Sequence, residues 1–175
     1  LSASFRLAWD HAALYVAVEV VDDNFRQDGN SPASVADLQR ILRSLGWRAT
    51  PSAVPPDLGD GVALILQSHH ADSRPQVVRF ALDGATRRSV LVSGGDAGSA
   101  PSFDVAMRRN GSRRTYEWRV DPGTSTLAPG DVLGFDVVVI DRDAADDLSW
   151  MTWGPGVGKL WNRRGPARGD IVLVD

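Results

Sequence analysis

Aromatic side chains crowd into one late segment of the chain, where glycines interrupt any regular period. Residues 149–162 read SWMTWGPGVGKLWN and hold three of the six tryptophans. Neither helical nor strand spacing accounts for Trp150, Trp153 and Trp161, so we expect them on loops, where exposed aromatic rings usually serve recognition. Indole faces can stack on the C–H groups of sugars while polar neighbours such as Asn162 bind the hydroxyls. The segment is a candidate glycan platform, unless its indoles merely close one end of the fold.

A second group of polar side chains follows an apolar, strand-like run. The run DVVVI leads directly into the acidic sequence DRDAADD. Closely spaced carboxylates on a loop are the hard oxygen ligands that calcium prefers, and calcium takes about six to eight of them. The segment lacks the central glycine and terminal glutamate of an EF-hand loop. It predicts a structural calcium site, with a solvated acidic turn as the alternative, and the candidate ligands are Asp141, Asp143, Asp146 and Asp147.

Residues suited to catalysis are scarce. The chain has no cysteine and three histidines, and its serines lie outside any nucleophile-elbow sequence. His69 and His70 are adjacent on a polar turn between strands, where their side chains point apart, so solvent exposure explains them better than a metal site. A glycosidase needs two carboxylates that face one cleft, and the spacing of the aspartates selects no such pair. The sequence therefore predicts a protein that is not an enzyme.

Charge and hydropathy argue against two classes of partner. The formal net charge is −3, and nearly all basic residues are arginines scattered in pairs beside turn residues. Nucleic-acid binders gather basic side chains on one face, so nucleic acid is not expected as a partner. No apolar run approaches the roughly 20 residues of a membrane-spanning helix, so membrane insertion is not expected either.

Short runs of β-forming residues recur along the chain, separated by Gly, Pro, Asn or Asp. They predict about eight to ten strands, the first two joined as a hairpin through Asp10. A chain of 175 residues suits a single domain over 1–175. The main runs are FRLAWD, ALYVAVEVVDD, DGVALILQS, PQVVRFALDG, RRSVLVSGG, FDVAMRRNGSRRTYEWRVD, GDVLGFDVVVIDRD and GDIVLVD.

Two local signals refine this pattern. Asn110 and Gly111 form a dipeptide that favours a tight turn, so 104–109 and 114–120 should pair antiparallel across it. Residues 34–46 place apolar side chains on one face at helical spacing. Regular short strands with a single helical insertion are typical of a β-sandwich. We predict an all-β, two-sheet antiparallel β-sandwich of jelly-roll or immunoglobulin-like type, with one short inserted helix at 34–46.

The order of several sequence segments resembles the family 9 carbohydrate-binding modules and their DOMON-like relatives. These segments are FRLAWDHAALYVAVEVVDDN, DGVALIL, TYEWRVD, LAPGDVLGFDVVVIDRD, WGPG and the closing GDIVLVD, and the similarity runs nearly end to end. The resemblance implies a jelly-roll sandwich without catalytic activity. It also implies an accessory module of a larger bacterial protein that is secreted, periplasmic or on the cell surface. Its partners would be an oligo- or polysaccharide and the neighbouring domains of that protein.

The resemblance also implies roles for individual residues. In sugar-binding members two tryptophans clamp the terminal sugar of a glycan, and calcium ions hold loops. Trp47 best matches the first platform, and Trp153 or Trp161 the second, with Asn162 nearby. Arg79 lies where the family often presents an arginine to the sugar hydroxyls, although an arginine packed along the sheet is the structural alternative.

Two other functions stay open at this point. Some DOMON-like relatives bind haem through a methionine and a histidine or lysine, and the chain offers Met107, Met151 and Lys159. Because Met107 alternates with apolar strand residues, core packing explains it more simply and haem is not expected. The second alternative is a sandwich that binds no sugar and serves protein contact or spacing. Related modules usually carry an earlier segment, so we expect a domain cut from a larger protein and lacking its first strand.

Overall fold

The structure is a computed structural model in which ten β-strands account for most of the described residues. The described residues are 1–23, 60–67, 77–82, 88–93, 102–122, 126–142, 148–154 and 169–175. The helix expected at 34–46 lies outside them. The strands are β1 (Ser2–Trp9), β2 (Leu14–Val21), β3 (Gly61–Gln67), β4 (Val77–Leu82), β5 (Arg88–Ser93), β6 (Ser102–Asn110), β7 (Arg113–Asp121), β8 (Val132–Arg142), β9 (Leu148–Thr152) and β10 (Gly169–Val172).

The strands form two antiparallel sheets. The four-stranded sheet has the order β1-β2-β7-β6. The six-stranded sheet has the order β10-β8-β3-β4-β5, and β9 pairs with β8 as well. Every strand pair is antiparallel. The predicted two-sheet antiparallel sandwich is confirmed. Among the described residues, no helix is long and apolar enough to cross a membrane.

The first hairpin is organised by Asp10, as its sequence predicts. β1 and β2 pair in register from Ser2 with Val21 to Trp9 with Leu14. In the turn, the amides of Ala12 and Ala13 donate to Asp10 Oδ1 at 2.7 and 2.8 Å. The Ala12 amide, followed by the Tyr15 hydroxyl, holds the pKa of Asp10 below its usual value. An aspartate in such a turn replaces water as the acceptor of backbone N–H groups.

The second predicted hairpin forms, with its turn displaced by one residue. Asn110 belongs to β6 and pairs with Arg113 at the start of β7. Gly111 and Ser112 are the two turn residues, and Gly111 has a φ of 60°. Glycine adopts a positive φ without steric cost, so it takes the first central position of the turn. The Asn-Gly dipeptide therefore predicts the position of the hairpin correctly, but Asn110 belongs to the strand and not to the turn.

The core lies between the sheets and follows the period-two alternation of their strands. Val16 and Val18 in β2 and Trp118 in β7 are buried on the inner face of the four-stranded sheet. Leu64 in β3 and Phe135 in β8 face them from the other sheet. Trp118 is one of the largest side chains of this core and is 2% exposed. Trp9 and Met107 are partly buried and pack against this core.

Candidate functional site

Trp153 lies where two strands share one edge of the six-stranded sheet. β9 pairs with the second half of β8, and β10 pairs with its first half. Between them the chain leaves β9, and the amide of Trp153 donates to the carbonyl of Val137 at 3.2 Å. This last backbone bond places Trp153 in the gap between the end of β9 and the start of β10.

The Trp153 ring is anchored on one side and exposed on the other. Its ring meets Phe5 at a centroid distance of 5.3 Å and an angle of 81°, and Phe135 at 6.2 Å and 62°. A Cβ placed on Gly169 would overlap the Trp153 ring, so the ring lies directly on that glycine. Even so, 48% of Trp153 is exposed, whereas Trp9 is partly buried and Trp118 fully buried. A rigid, half-exposed indole is suited to stacking on a ligand.

A buried carboxylate fixes the residue that follows Trp153. Asp136 is 0% exposed, and its Oδ1 accepts from the amides of Val137 and Gly154 at 2.8 and 2.9 Å. Its neighbours Phe135 and Val137 belong to the core, so strand alternation turns Asp136 to the outer face of the sheet. A Cβ on Gly154 would lie 2.9 Å from Asp136 Oδ2. The glycine at 154 therefore leaves the space that the Asp136 carboxylate occupies.

Burial dominates the electrostatics of Asp136. Removal from water disfavours its charged form and raises the pKa above the usual value, while the backbone donors of Gly154, Val137 and Trp153 partly oppose the change. Among the described residues no donor reaches Oδ2. Sequence analysis did not single out Asp136. The available signal was an aspartate inside the otherwise apolar run VLGFDVVVI, where a buried polar group needs a specific partner.

The sequence-predicted sugar ligands are only partly within the described residues. Trp153 is described, exposed and next to Gly154, after the end of β9. The expectation of a loop position is wrong for Trp150, which lies in β9 opposite Ile140, because strand pairing with β8 extends to this residue. The backbone of Arg79 lies in β4 opposite Leu64, next to a register shift between β4 and β5, and its side chain is outside the described part. Trp47, Trp161 and Asn162 also lie outside it. The two-tryptophan clamp stays a prediction.

The acidic cluster contains one predicted calcium ligand and two residues that the sequence analysis missed. Asp141 lies with Asp22 and Asp60, and one carboxylate oxygen of each falls within 4.8 Å of the others. All three side chains are buried. Asp22 follows β2, Asp60 precedes β3 and Asp141 lies near the end of β8. Each position is in phase with the core-facing residues of its strand, so the three side chains converge between the sheets at one end of the sandwich. Asp143, Asp146 and Asp147 lie outside the described residues.

A buried arginine is part of the same cluster. Arg114 Nη2 lies 2.6 Å from Asp22 Oδ2 and 3.1 Å from Asp60 Oδ2. Its side chain is 4% exposed, and those of the two aspartates are 1% and 0% exposed. This charge-assisted network lies at the end of the apolar core. Its ion pairs compensate the buried charged groups for the hydration that they lose. Its carboxylate oxygens also have the chemistry of hard-cation ligands.

Comparison with known proteins shows similarity at the level of structure. No protein-family model matches the sequence, and no curated protein matches it significantly. The fold is similar to a family 9 carbohydrate-binding module from Caldicellulosiruptor kristjanssonii in complex with glucose, with a TM-score of 0.66 and 18% identity over 98% of this chain and 75% of that chain. A structure of such a module from the same organism with cellotriose gives a TM-score of 0.67 and 18% identity, covering 98% and 74%. The chain therefore has the fold of a family 9 carbohydrate-binding module.

Proposed function

We propose that this chain is a non-catalytic carbohydrate-binding module that stacks the terminal sugar of a glycan on Trp153. The observation that carries the proposal is the half-exposed Trp153 ring, held at a sheet edge by Phe5, Phe135 and Gly169. A ring fixed before binding loses little conformational entropy when a ligand stacks on it. The bound glucose and cellotriose of the two similar structures support the choice of ligand class.

The remaining sugar ligands follow from the family resemblance. We propose Trp47 as the opposing platform, Trp161 as the alternative second platform, and Arg79 and Asn162 as donors to the sugar hydroxyls. Aromatic faces with a few convergent polar groups are the usual composition of such a site. The proposed site includes no catalytic step. Burial raises the pKa of Asp136, but this side chain has no exposed surface with which to touch a ligand.

A structural calcium ion near Asp141 is the second part of the proposal. Asp22, Asp60 and Asp141 supply oxygen ligands within 4.8 Å of one another, which fits a hard cation. Arg114 already neutralises part of this charge at 2.6 Å from Asp22. Titration with calcium after chelation tests the ion: a saturable rise in melting temperature, absent in Asp141→Asn, supports it, and an unchanged melting temperature points to an ion-pair network without metal.

The proposed context is an accessory domain of a larger secreted, periplasmic or cell-surface bacterial protein. A glycan-binding module without its own catalysis acts by holding neighbouring domains close to their substrate, which raises their effective concentration there. The support for this context is the family resemblance of the sequence segments and the fold.

Intrinsic fluorescence tests the proposed function across many ligands. Cello-, xylo- and manno-oligosaccharides are titrated into the protein, and a saturable change in indole emission is expected for at least one series. Trp153→Ala should abolish the response. Val174→Ala is the matched control, because Val174 is an apolar side chain that is 69% exposed and away from the ring contacts. No response to the whole panel would favour a protein-contact role instead.

A further inference from the structure

The outer face of the four-stranded sheet carries a groove that the site at Trp153 does not use. The groove has a volume of about 670 Å³, within the range of roughly 300–1,000 Å³ that small-ligand sites occupy. It runs across all four strands, from β1 to β6. The outward-facing side chains that line it include Arg6, Tyr15, Asp104, Glu117 and Arg119.

Strand register arranges these side chains in two rows across the sheet. In one row Tyr15 pairs with Arg119, and Arg119 pairs with Asp104. In the next row Ala17 and Ala106 flank Glu117 on both neighbouring strands. Side chains opposite each other on one sheet face are about 5 Å apart, so alanines leave open space beside a longer side chain. Glu117 therefore has a small side chain on either side, which leaves space beside it for a ligand.

The charged side chains of this largely apolar groove balance one another. Arg6 and Arg119 carry two positive charges, and Asp104 and Glu117 carry two negative charges, so the formal charge of these side chains is zero. A strongly anionic or cationic ligand would meet like charges in either row, which costs affinity. A neutral ligand with many hydroxyl groups can instead donate to the carboxylates and accept from the guanidinium groups.

Tyr15 supplies a fixed aromatic surface in the first row. Tyr15 is 38% exposed, and its hydroxyl donates to Asp10 Oδ2 at 3.0 Å. Asp10 is itself held by the amides of Ala12 and Ala13 in the hairpin turn. The turn thus fixes the tyrosine before any ligand arrives, and an aromatic ring that is already ordered loses less entropy on stacking.

We propose that this groove is a second glycan-binding surface, which takes a short neutral oligosaccharide across Tyr15, Glu117 and Arg119. The chemistry of the groove itself selects this ligand class, and the surface lies on the opposite sheet from Asp136 and β9. A module with two such surfaces could hold two chains of a polysaccharide, or two sites on one chain, and gain avidity.

Amide chemical-shift mapping on the full chain tests the proposal, with cellotriose and xylotriose as probes. We expect two separate groups of saturable shifts, one around Trp153 and one across the groove. Tyr15→Ala and Glu117→Ala should each weaken binding in the groove about tenfold or more, while the shifts around Trp153 persist. Trp153→Ala should have the converse effect. Thr115→Ala, one row beyond the groove on the same sheet face, is the control that should change neither group.

The possible outcomes separate the two surfaces. Shifts in the groove that Tyr15→Ala removes would support the inference, even if Trp153 did not respond and the proposed site were wrong. Shifts confined to the surroundings of Trp153 would overturn the inference and leave the proposed function intact. No shift with either probe would overturn the inference, whereas the proposed function is overturned only when the wider oligosaccharide panel also gives no response.

Discussion

The side chain of Asp136 accepts a hydrogen bond from the amide of Gly154 at 2.9 Å, so a buried carboxylate in β8 holds the residue next to the exposed Trp153. The two residues are 18 positions apart in the sequence. The geometry leaves no room for a side chain at 154, because a Cβ there would lie 2.9 Å from Asp136 Oδ2. Presentation of the Trp153 ring therefore depends on a contact in the sheet below it.

Gly154→Ala should lower the free energy of unfolding by about 1–3 kcal/mol, because the added methyl group overpacks the contact with Asp136. Urea unfolding of the single variants and of the double variant Gly154→Ala/Asp136→Ala measures the coupling. The cost of the methyl group should be smaller when the carboxylate is absent. An equal loss of unfolding free energy with and without the Asp136 carboxylate would show that this contact does not restrict the side chain at 154.

Asp136 should give the folded state a specific pH dependence. Burial raises its folded-state pKa above the usual value of an aspartate, so the folded protein binds this proton more tightly than the unfolded chain. The contribution to stability is fully present below the unfolded pKa, and it is lost as pH rises through the folded pKa.

The variant Asp136→Asn keeps an oxygen acceptor and removes the titration. Unfolding free energies of the two proteins across acidic to neutral pH should show wild type losing stability relative to the variant over that window. The difference should be constant above the folded pKa. A difference that does not change with pH anywhere in the range would contradict the raised pKa.

The buried network around Arg114 should be sensitive to loss of its cation. Arg114→Met leaves Asp22 and Asp60 without their guanidinium partner, and removal of one member of a buried ion pair costs about 3–5 kcal/mol. The neighbouring Arg113 is a matched control, since its pair with Glu19 is exposed at 58% and 39% of the side chains. Arg113→Met should change the unfolding free energy by about 0–1 kcal/mol. Similar effects of the two variants would contradict the structural role of the network.

Gly169→Ala should impair glycan binding without removing any ligand contact. The new Cβ would overlap the Trp153 ring and lie 2.9 Å from the Phe135 carbonyl oxygen. The ring must therefore move from its anchored position, and we expect about a tenfold or larger loss of affinity. Calorimetric titration measures this, with circular dichroism to verify the fold. An unchanged affinity would show that the exact ring position is unimportant.

Much of the fold follows from local sequence patterns. Alternation in LYVAVEVV and TYEWRVD correctly predicts which side chains face the core, because a strand repeats every two residues. Asp10 correctly marks a turn. The Asn110 turn is displaced by one residue because turn propensity does not fix strand register, which depends on the pairing of the whole hairpin.

Fewer residues of the candidate sites could be predicted from the sequence. Trp153 was identified by its glycine-rich surroundings, but Asp136 was not, because its partner Gly154 is brought close only by the pairing of β8 and β9. The local density of aspartates identified Asp141. Its partners Asp22 and Asp60 follow β2 and precede β3, and only the packing of the two sheets brings these strand ends together.

The central claim is that Trp153 binds a glycan, and calorimetric titration of cellotriose into wild type, Trp153→Ala and Val174→Ala tests it most directly. Wild type and Val174→Ala should bind with the same affinity, and Trp153→Ala should lose binding at this surface, with all three proteins folded by circular dichroism. Unchanged cellotriose affinity in Trp153→Ala would contradict the claim and show that any glycan binding occurs elsewhere on the molecule.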